Sequence, residues 1–219
     1  ADKLIKAYTQ DQHLGLWVTG KRVENSWAHP NEDASFYELK AYVENILVRL
    51  GLSLQAVTLV KGENNIFEDS ISFVTKAGKI IAELGVVAYK LTKNMGITNE
   101  VFFADIYWDN LLKAVKKHVV EYKEISKYPA VSRDLALLVD KTVEFEQIKE
   151  IAYSTEKKLL KAVELFDVYE GKNLPEGKKS YAVNFILQDE QKTLNDKQID
   201  SIMNKLIDNL TKRLNAELR

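Results

Sequence analysis

Asp167 and Tyr169 stand two residues apart in the run Glu164-Leu165-Phe166-Asp167-Val168-Tyr169. In an extended strand that spacing turns both side chains to one face. An aromatic ring beside a carboxylate can stack a flat heterocycle and accept N–H donors along its edge. Other chemistries find little to work with. His13, His29 and His118 are far apart, none has the spacing of a helical metal pair, and there is no Cys to complete a site or to act as a nucleophile. They read as surface or packing histidines, and no metal site is expected. The nine Gly are dispersed, and neither a G-x-x-x-x-G-K-[ST] loop nor a G-x-G-x-x-G turn occurs to cradle phosphates. The five Arg, Arg22, Arg49, Arg133, Arg213 and Arg219, leave the first half without a cluster that would clamp a triphosphate. Carboxylates are plentiful, yet none forms an isolated pair in an apolar context suited to acid–base work, so no catalytic residue is expected. Asn209-Leu210-Thr211 matches a glycosylation sequon but falls inside a predicted helix and reads as chance.

Composition sets the frame for these residues. The 219 residues, 46% of them apolar, suffice for one large domain or two small ones with a real core. With 31 Lys+Arg against 32 Asp+Glu, the formal charge of -1 argues against a general polyanion binder, whose affinity comes from many cations releasing counterions. Any nucleic-acid partner must then be met by a small, specific surface. No stretch approaches the roughly 18 apolar residues of a membrane helix, and the polar start lacks the layout of a signal peptide. A chain that opens at Ala1 is expected to be a piece of a longer one or a processed form. Absence of Cys suits a reducing compartment, so a cytoplasmic protein without a membrane partner is expected.

Residues 1–120 read as an α+β unit. Leu14-Gly15-Leu16-Trp17-Val18-Thr19-Gly20 is a short apolar run that suits a buried strand. Ser35 and Glu38 make a capping-box pattern, and Phe36, Leu39, Val43, Ile46, Leu47 and Leu50 follow at helical spacing, with Gly51 placed for a left-handed cap. Runs at 53–60, 70–76, 79–88 and 100–108 are rich in Val, Ile, Phe and Tyr and broken by Gly62, Gly78 and Gly96, as an antiparallel meander would be.

Charged and turn residues gather between about His118 and Ser132, where Pro129 pushes Tyr128 out of helical geometry, and a second unit over 121–219 is expected. A strand at 133–139 precedes a helix capped by Thr142 that carries Phe145, Ile148, Ile151 and Ala152. Strands at about 159–169 and 179–187 flank a turn with Gly171, Pro175 and Gly177. Thr193 and Asp196 then make a second capping-box pattern, opening a helix with Ile199, Ile202, Met203, Leu206, Ile207, Leu210 and Leu214 on one side, and a short strand at 215–219 ends the unit. This β-α-β-β-α-β order is ferredoxin-like, with two helices on one face of a four-stranded sheet.

Period-two alternation separates the faces of that sheet. The bulkier sets, Leu135, Leu137 and Val139, then Phe166 and Val168, then Tyr181, Val183, Phe185 and Leu187, should meet the helices. What is left open is a mixed surface of Ala136, Ser180, Ala182 and Asn184 around Tyr169 and Asp167. Such a face can hold one unpaired base. The pattern alone also suits a solvated strand tyrosine beside a turn-proximal charge.

The run Tyr128-Pro129-Ala130-Val131-Ser132-Arg133-Asp134-Leu135-Ala136-Leu137, then Glu164 to Gly171, then Gly177-Lys178-Lys179-Ser180-Tyr181-Ala182, then Lys192-Thr193-Leu194-Asn195-Asp196, closely resembles the ferredoxin-fold anticodon-binding domain that ends the β chain of bacterial phenylalanyl-tRNA synthetases. The first half is similar to the preceding catalytic-like module of that chain, through residues 14–20, Trp27, Phe36-Tyr37-Glu38-Leu39-Lys40 and Phe102-Phe103-Ala104-Asp105-Ile106. The stretch 61–97 departs from the family's His-Pro-Gly and Gly-x-Leu-Gly-x-x-His-Pro segments, keeping only Glu83-Leu84-Gly85. The resemblance implies a truncated class II synthetase-like antiparallel sheet followed by the ferredoxin-like unit. It implies phenylalanine tRNA and a catalytic α subunit, in an α2β2 assembly, as partners. ATP and magnesium would serve the holoenzyme, with no cofactor in this segment. It further implies Tyr169 as stacking platform, Asp167 as acceptor for a guanine edge, Ala136 and Ser180 as close-approach positions, and Arg219 on base or phosphate. The reading from a different class is a stand-alone interaction module whose open sheet docks protein.

Overall fold

The structure, a computed structural model, describes residues 8–122 and 124–219. It divides into two compact units, Ala1–Tyr122 and Lys123–Arg219, each with its own core.

In the first unit β1 (His13–Thr19), α1 (Phe36–Arg49), β2 (Val57–Lys61), β3 (Phe67–Thr75), β4 (Ile80–Val87), α2 (Tyr89–Asn94), β5 (Val101–Tyr107) and α3 (Trp108–Val115) follow in chain order. The strands form a fully antiparallel five-stranded sheet in the order β1-β5-β4-β3-β2. Leu39, Val43 and Leu47 of α1 and Leu111 of α3 bury against Phe73, Ile81, Leu84 and Ile106 of the sheet. The apolar stripe read from the sequence is therefore the stripe that packs. Ser35 caps α1 by accepting from the Glu38 amide, but Glu38 does not return the bond expected of a capping box. Its carboxylate accepts instead from the Tyr42 hydroxyl at 2.7 Å, and that contact raises the Tyr42 phenol above its usual pKa. At the other end Gly51 takes φ of +90°, and the Leu52 and Gly51 amides close back on Leu47 and Val48. This is the αL termination that glycine permits without steric cost. The divergent stretch 61–97 carries β3, β4 and α2. The two short helices α2 and α3 have no counterpart in the sequence reading.

The second unit runs β6 (Val131–Asp140), α4 (Phe145–Thr155), β7 (Leu160–Tyr169), β8 (Lys178–Leu187), α5 (Asp196–Leu214) and β9 (Glu217–Leu218). Its antiparallel sheet has the order β7-β8-β6-β9, the ferredoxin-like arrangement expected from the element order. Both helices start later than the threonines suggested. The cap of α4 is Glu144, whose amide donates to Gln147 Oε1 at 2.9 Å, while Thr142 sits in the turn after β6. The cap of α5 is Asn195, which exchanges two hydrogen bonds with Gln198. An apolar pair decides the register each time. Val143 with Ile148, and Leu194 with Ile199, straddle the caps at staple spacing and are all buried in the core.

Phe185 is fully buried at the centre of this core, among Val183, Leu187 and the α4 and α5 side chains. Phe185→Ala should therefore cost about 3–5 kcal/mol of stability, read as a lower urea midpoint of the second unit.

Candidate functional site

The ten-pair ladder between β6 and β8 keeps strict alternation. Leu137, Val139, Tyr181, Val183, Phe185 and Leu187 point to the helices. The opposite face is arranged in cross-strand rows. One row holds Tyr169, Ser180, Leu138 and Glu217. The next holds Asp167, Ala182 and Ala136, with the Arg219 amide donating to the Ala136 carbonyl at 3.0 Å. All five residues singled out in the sequence fall in these two neighbouring rows.

A bulge makes that possible, and it corrects the reading of β7. Leu165 pairs with Val183 and Asp167 with Ala182, so Phe166 is an extra residue without a partner. Leu165, placed on the open side by simple alternation, packs against the core. Phe166, placed in the core, is 61% exposed, and Val168 is exposed as well. One inserted residue resets the parity of the strand. It lets Leu165 reach the core while Asp167 and Tyr169 stay on the other face.

Arg219 and Tyr169 start at opposite edges of the sheet. Three strand spacings amount to about 14 Å, yet the Arg219 guanidinium lies 5.4 Å from the centre of the Tyr169 ring. The two side chains therefore approach each other across the strands between them, β8 and β6. Ala136 and Ala182 make the neighbouring row with Asp167 a low one. Ser180 is only 5% exposed, a floor position rather than an open one. Tyr169 is 37% exposed. Asp167 is exposed and makes no hydrogen bond or ion pair among the described residues, so both of its oxygens are free acceptors. Asn184 is committed, donating to Ser132 and, at 2.5 Å, to Asp134.

Within the two rows Arg219 is the single cation, against Asp167 and Glu217. Lys141 pairs with Glu170 at 3.4 Å and Lys178 with Asp140 at 3.1 Å, while Lys179, next to Ser180, lies 4.8 Å from the centre of the Tyr181 ring. A surface of this kind reads the edge and face of a ring and offers few contacts to phosphates. Leu138 and Glu217 share the Tyr169 row, and Gly171 lies against its ring. Alternation could have given Leu138. Glu217 needed the register of β9. Gly171, read only as a turn residue, lies under the hydroxyl end of Tyr169.

The first unit presents different chemistry on the face turned away from its core. One row there is Gly15, Asp105, Glu83 and Ser72, and the next is Trp17, Phe103, Gly85 and Ser70. Trp17 stacks on Phe103 with ring centres 3.9 Å apart. His13 Nδ1 lies 2.8 Å from Asp105. Burial, then the Asp105 and Glu83 carboxylates, raise the Tyr107 phenol above its usual pKa. Among the described residues no group of His, Asp and Glu could hold a metal ion, and no helix is long and apolar enough to cross a membrane.

Residues 126–219 match the family model of the ferredoxin-fold anticodon binding domain, and residues 2–108 match that of the phenylalanyl tRNA synthetase beta chain CLM domain. The chain is 61% identical over 218 residues to the phenylalanine–tRNA ligase beta subunit of Bacteroides thetaiotaomicron and 58% identical to that of Bacteroides fragilis. All of this chain and 27% of each relative are covered, so the chain spans about a quarter of the length of the curated relatives it matches. The beta subunit of Porphyromonas gingivalis is 47% identical over 98% of this chain and 26% of its own length. Among solved structures, pyrrolysyl-tRNA synthetase from Desulfitobacterium hafniense aligns with 55% of this chain and 50% of its own at 13% identity and a TM-score of 0.30, too slight a likeness to build on.

Removing the guanidinium should uncover the tyrosine without harming the fold. A cation–π contact at an exposed site is worth about 0.5–1 kcal/mol, so Arg219→Ala should leave the unfolding midpoint nearly unchanged. NMR should show shifted Tyr169 ring resonances and stronger paramagnetic broadening by a soluble probe.

Proposed function

The two modules of this chain belong to the phenylalanyl-tRNA synthetase beta chain CLM family and the ferredoxin-fold anticodon-binding family, and from that membership we propose that the chain is the anticodon-reading part of a phenylalanine–tRNA ligase beta subunit. The observation that carries the proposal is the pairing of a stackable ring with an unengaged carboxylate in adjacent rows over a floor of small side chains. A guanine at the first anticodon position presents two N–H donors on its pairing edge. Asp167 accepts them, while the Tyr169 ring stacks on the base. Ala136 and Ser180 form the floor that lets the base come close. Arg219 leaves the ring as the base arrives and turns to a base oxygen or a phosphate.

Catalysis in this proposal belongs to an α subunit of an α2β2 holoenzyme, where ATP and magnesium act. No cofactor is assigned to the two modules described, and the working compartment is the cytoplasm. The outer face of the first sheet supports the division of labour. Its rows carry Asp105, beside His13, and a buried Glu83 that accepts from Asn64, so a triphosphate there would meet like charge. That module serves assembly with the α subunit.

The test is titration of the chain with an RNA hairpin bearing the phenylalanine anticodon loop and with one altered at the first anticodon base, at two salt concentrations. Base–aromatic stacking is worth about 1–3 kcal/mol, less the roughly 0.5–1 kcal/mol of the displaced Arg219 contact, so Tyr169→Ala should weaken the native hairpin roughly tenfold and remove the preference. Asp167→Ala should narrow the preference while retaining part of the affinity. The salt slope should be shallow, since few phosphates are neutralised. Equal weak binding of both hairpins, unchanged in Tyr169→Ala, would overturn the proposal in favour of protein docking.

A further inference from the structure

The pose of the Tyr169 ring depends on an atom that is missing two residues later. A β-carbon built on Gly171 would lie 2.3 Å from the Tyr169 hydroxyl oxygen, 2.5 Å from Cζ and 3.0 Å from a ring-edge carbon. No real side chain tolerates such distances, so the ring occupies the volume that any other residue would fill. A backbone hydrogen bond closes the turn at this point. The Gly171 carbonyl accepts from the Leu174 amide at 3.1 Å, and the side chain of the preceding Glu170 lies 3.4 Å from Lys141. An added methyl group would therefore move the ring rather than the turn. The opposite constraint is Arg219, whose guanidinium faces the ring at 5.4 Å.

We propose that Gly171 is a positioning residue of the base-reading site. Its bare α-carbon seats the hydroxyl end of Tyr169, and this aims the ring face toward Arg219 and toward the place an incoming base takes. The inference rests on the anticodon-reading proposal above and adds to it the residue that sets the platform. The turn glycine is thus not required by backbone conformation, since Gly177 and not Gly171 has the left-handed φ in this loop. It is required by space.

The experiment is a double-mutant cycle on the full chain with Gly171→Ala, Tyr169→Ala and the pair, titrated with the two hairpins. Gly171→Ala should lose on the order of tenfold in affinity for the native hairpin, most of what Tyr169→Ala loses. In the Tyr169→Ala background the same substitution should change nothing further. The unfolding midpoint should hold. NMR contacts between the α-protons of residue 171 and the Tyr169 ring, present in the native chain, should vanish in the Gly171→Ala variant. Native-like binding by Gly171→Ala would overturn the inference while leaving the anticodon proposal standing. An equal loss in both backgrounds would overturn it too, by showing a defect of the turn itself. Unchanged preference in Tyr169→Ala would overturn the anticodon proposal, and the inference with it.

Discussion

The antiparallel ladder between β6 and β8 fixes which side chains face the helices and which face outward, because neighbouring residues on a strand point to opposite sides. A slip of one residue would exchange the two sets, carrying Phe185 and Val183 outward and Ala182 and Asn184 into the core. The cost of exposing those buried side chains pins the register. Every other feature of the outward face is measured from that ladder. Strand β7 joins β8 in a register that its bulge resets, and β9 joins β6 for only two residues.

A two-residue edge strand is a slight means of fixing Arg219, which follows directly after it. Several contacts reinforce it here. Asn215 adopts a left-handed conformation that turns the chain out of α5, Ala216 is buried, and the Thr211 hydroxyl donates to the Ala216 carbonyl at 3.0 Å. The Arg219 amide then donates to Ala136. These bonds tie the segment after α5 to the helix and to β6, and they fix where the Arg219 side chain starts.

Much of this was readable from residue types and spacing. The apolar stripes of α1 and α5, the alternation in β6 and β8 and the order of elements follow from periods that burial enforces, and they carry Ala136, Ser180 and Ala182 to one face. Asp167 and Tyr169 reached that face too, though for a different reason than alternation supplied. Their strand changes parity at Phe166, and no local signal marks a bulge whose cause is the competing demand of Leu165 for the core. The helix starts were misplaced by a few residues because threonine, asparagine and glutamate can all cap. The choice among them fell to the buried pairs on either side. Burial of Ser180 and the seat at Gly171 depend on where two long side chains lie, and spacing along the chain holds no information about that.

The guanidinium over Tyr169 gives the surface a threshold. A flat molecule that reaches the ring must first displace Arg219, a contact worth about 0.5–1 kcal/mol, before gaining a stack worth about 1–3 kcal/mol. Rings that stack poorly recover little more than they displace, whereas a large purine keeps a clear margin. On the proposed reading, such a surface would discriminate by competition before any hydrogen bond to an edge is made.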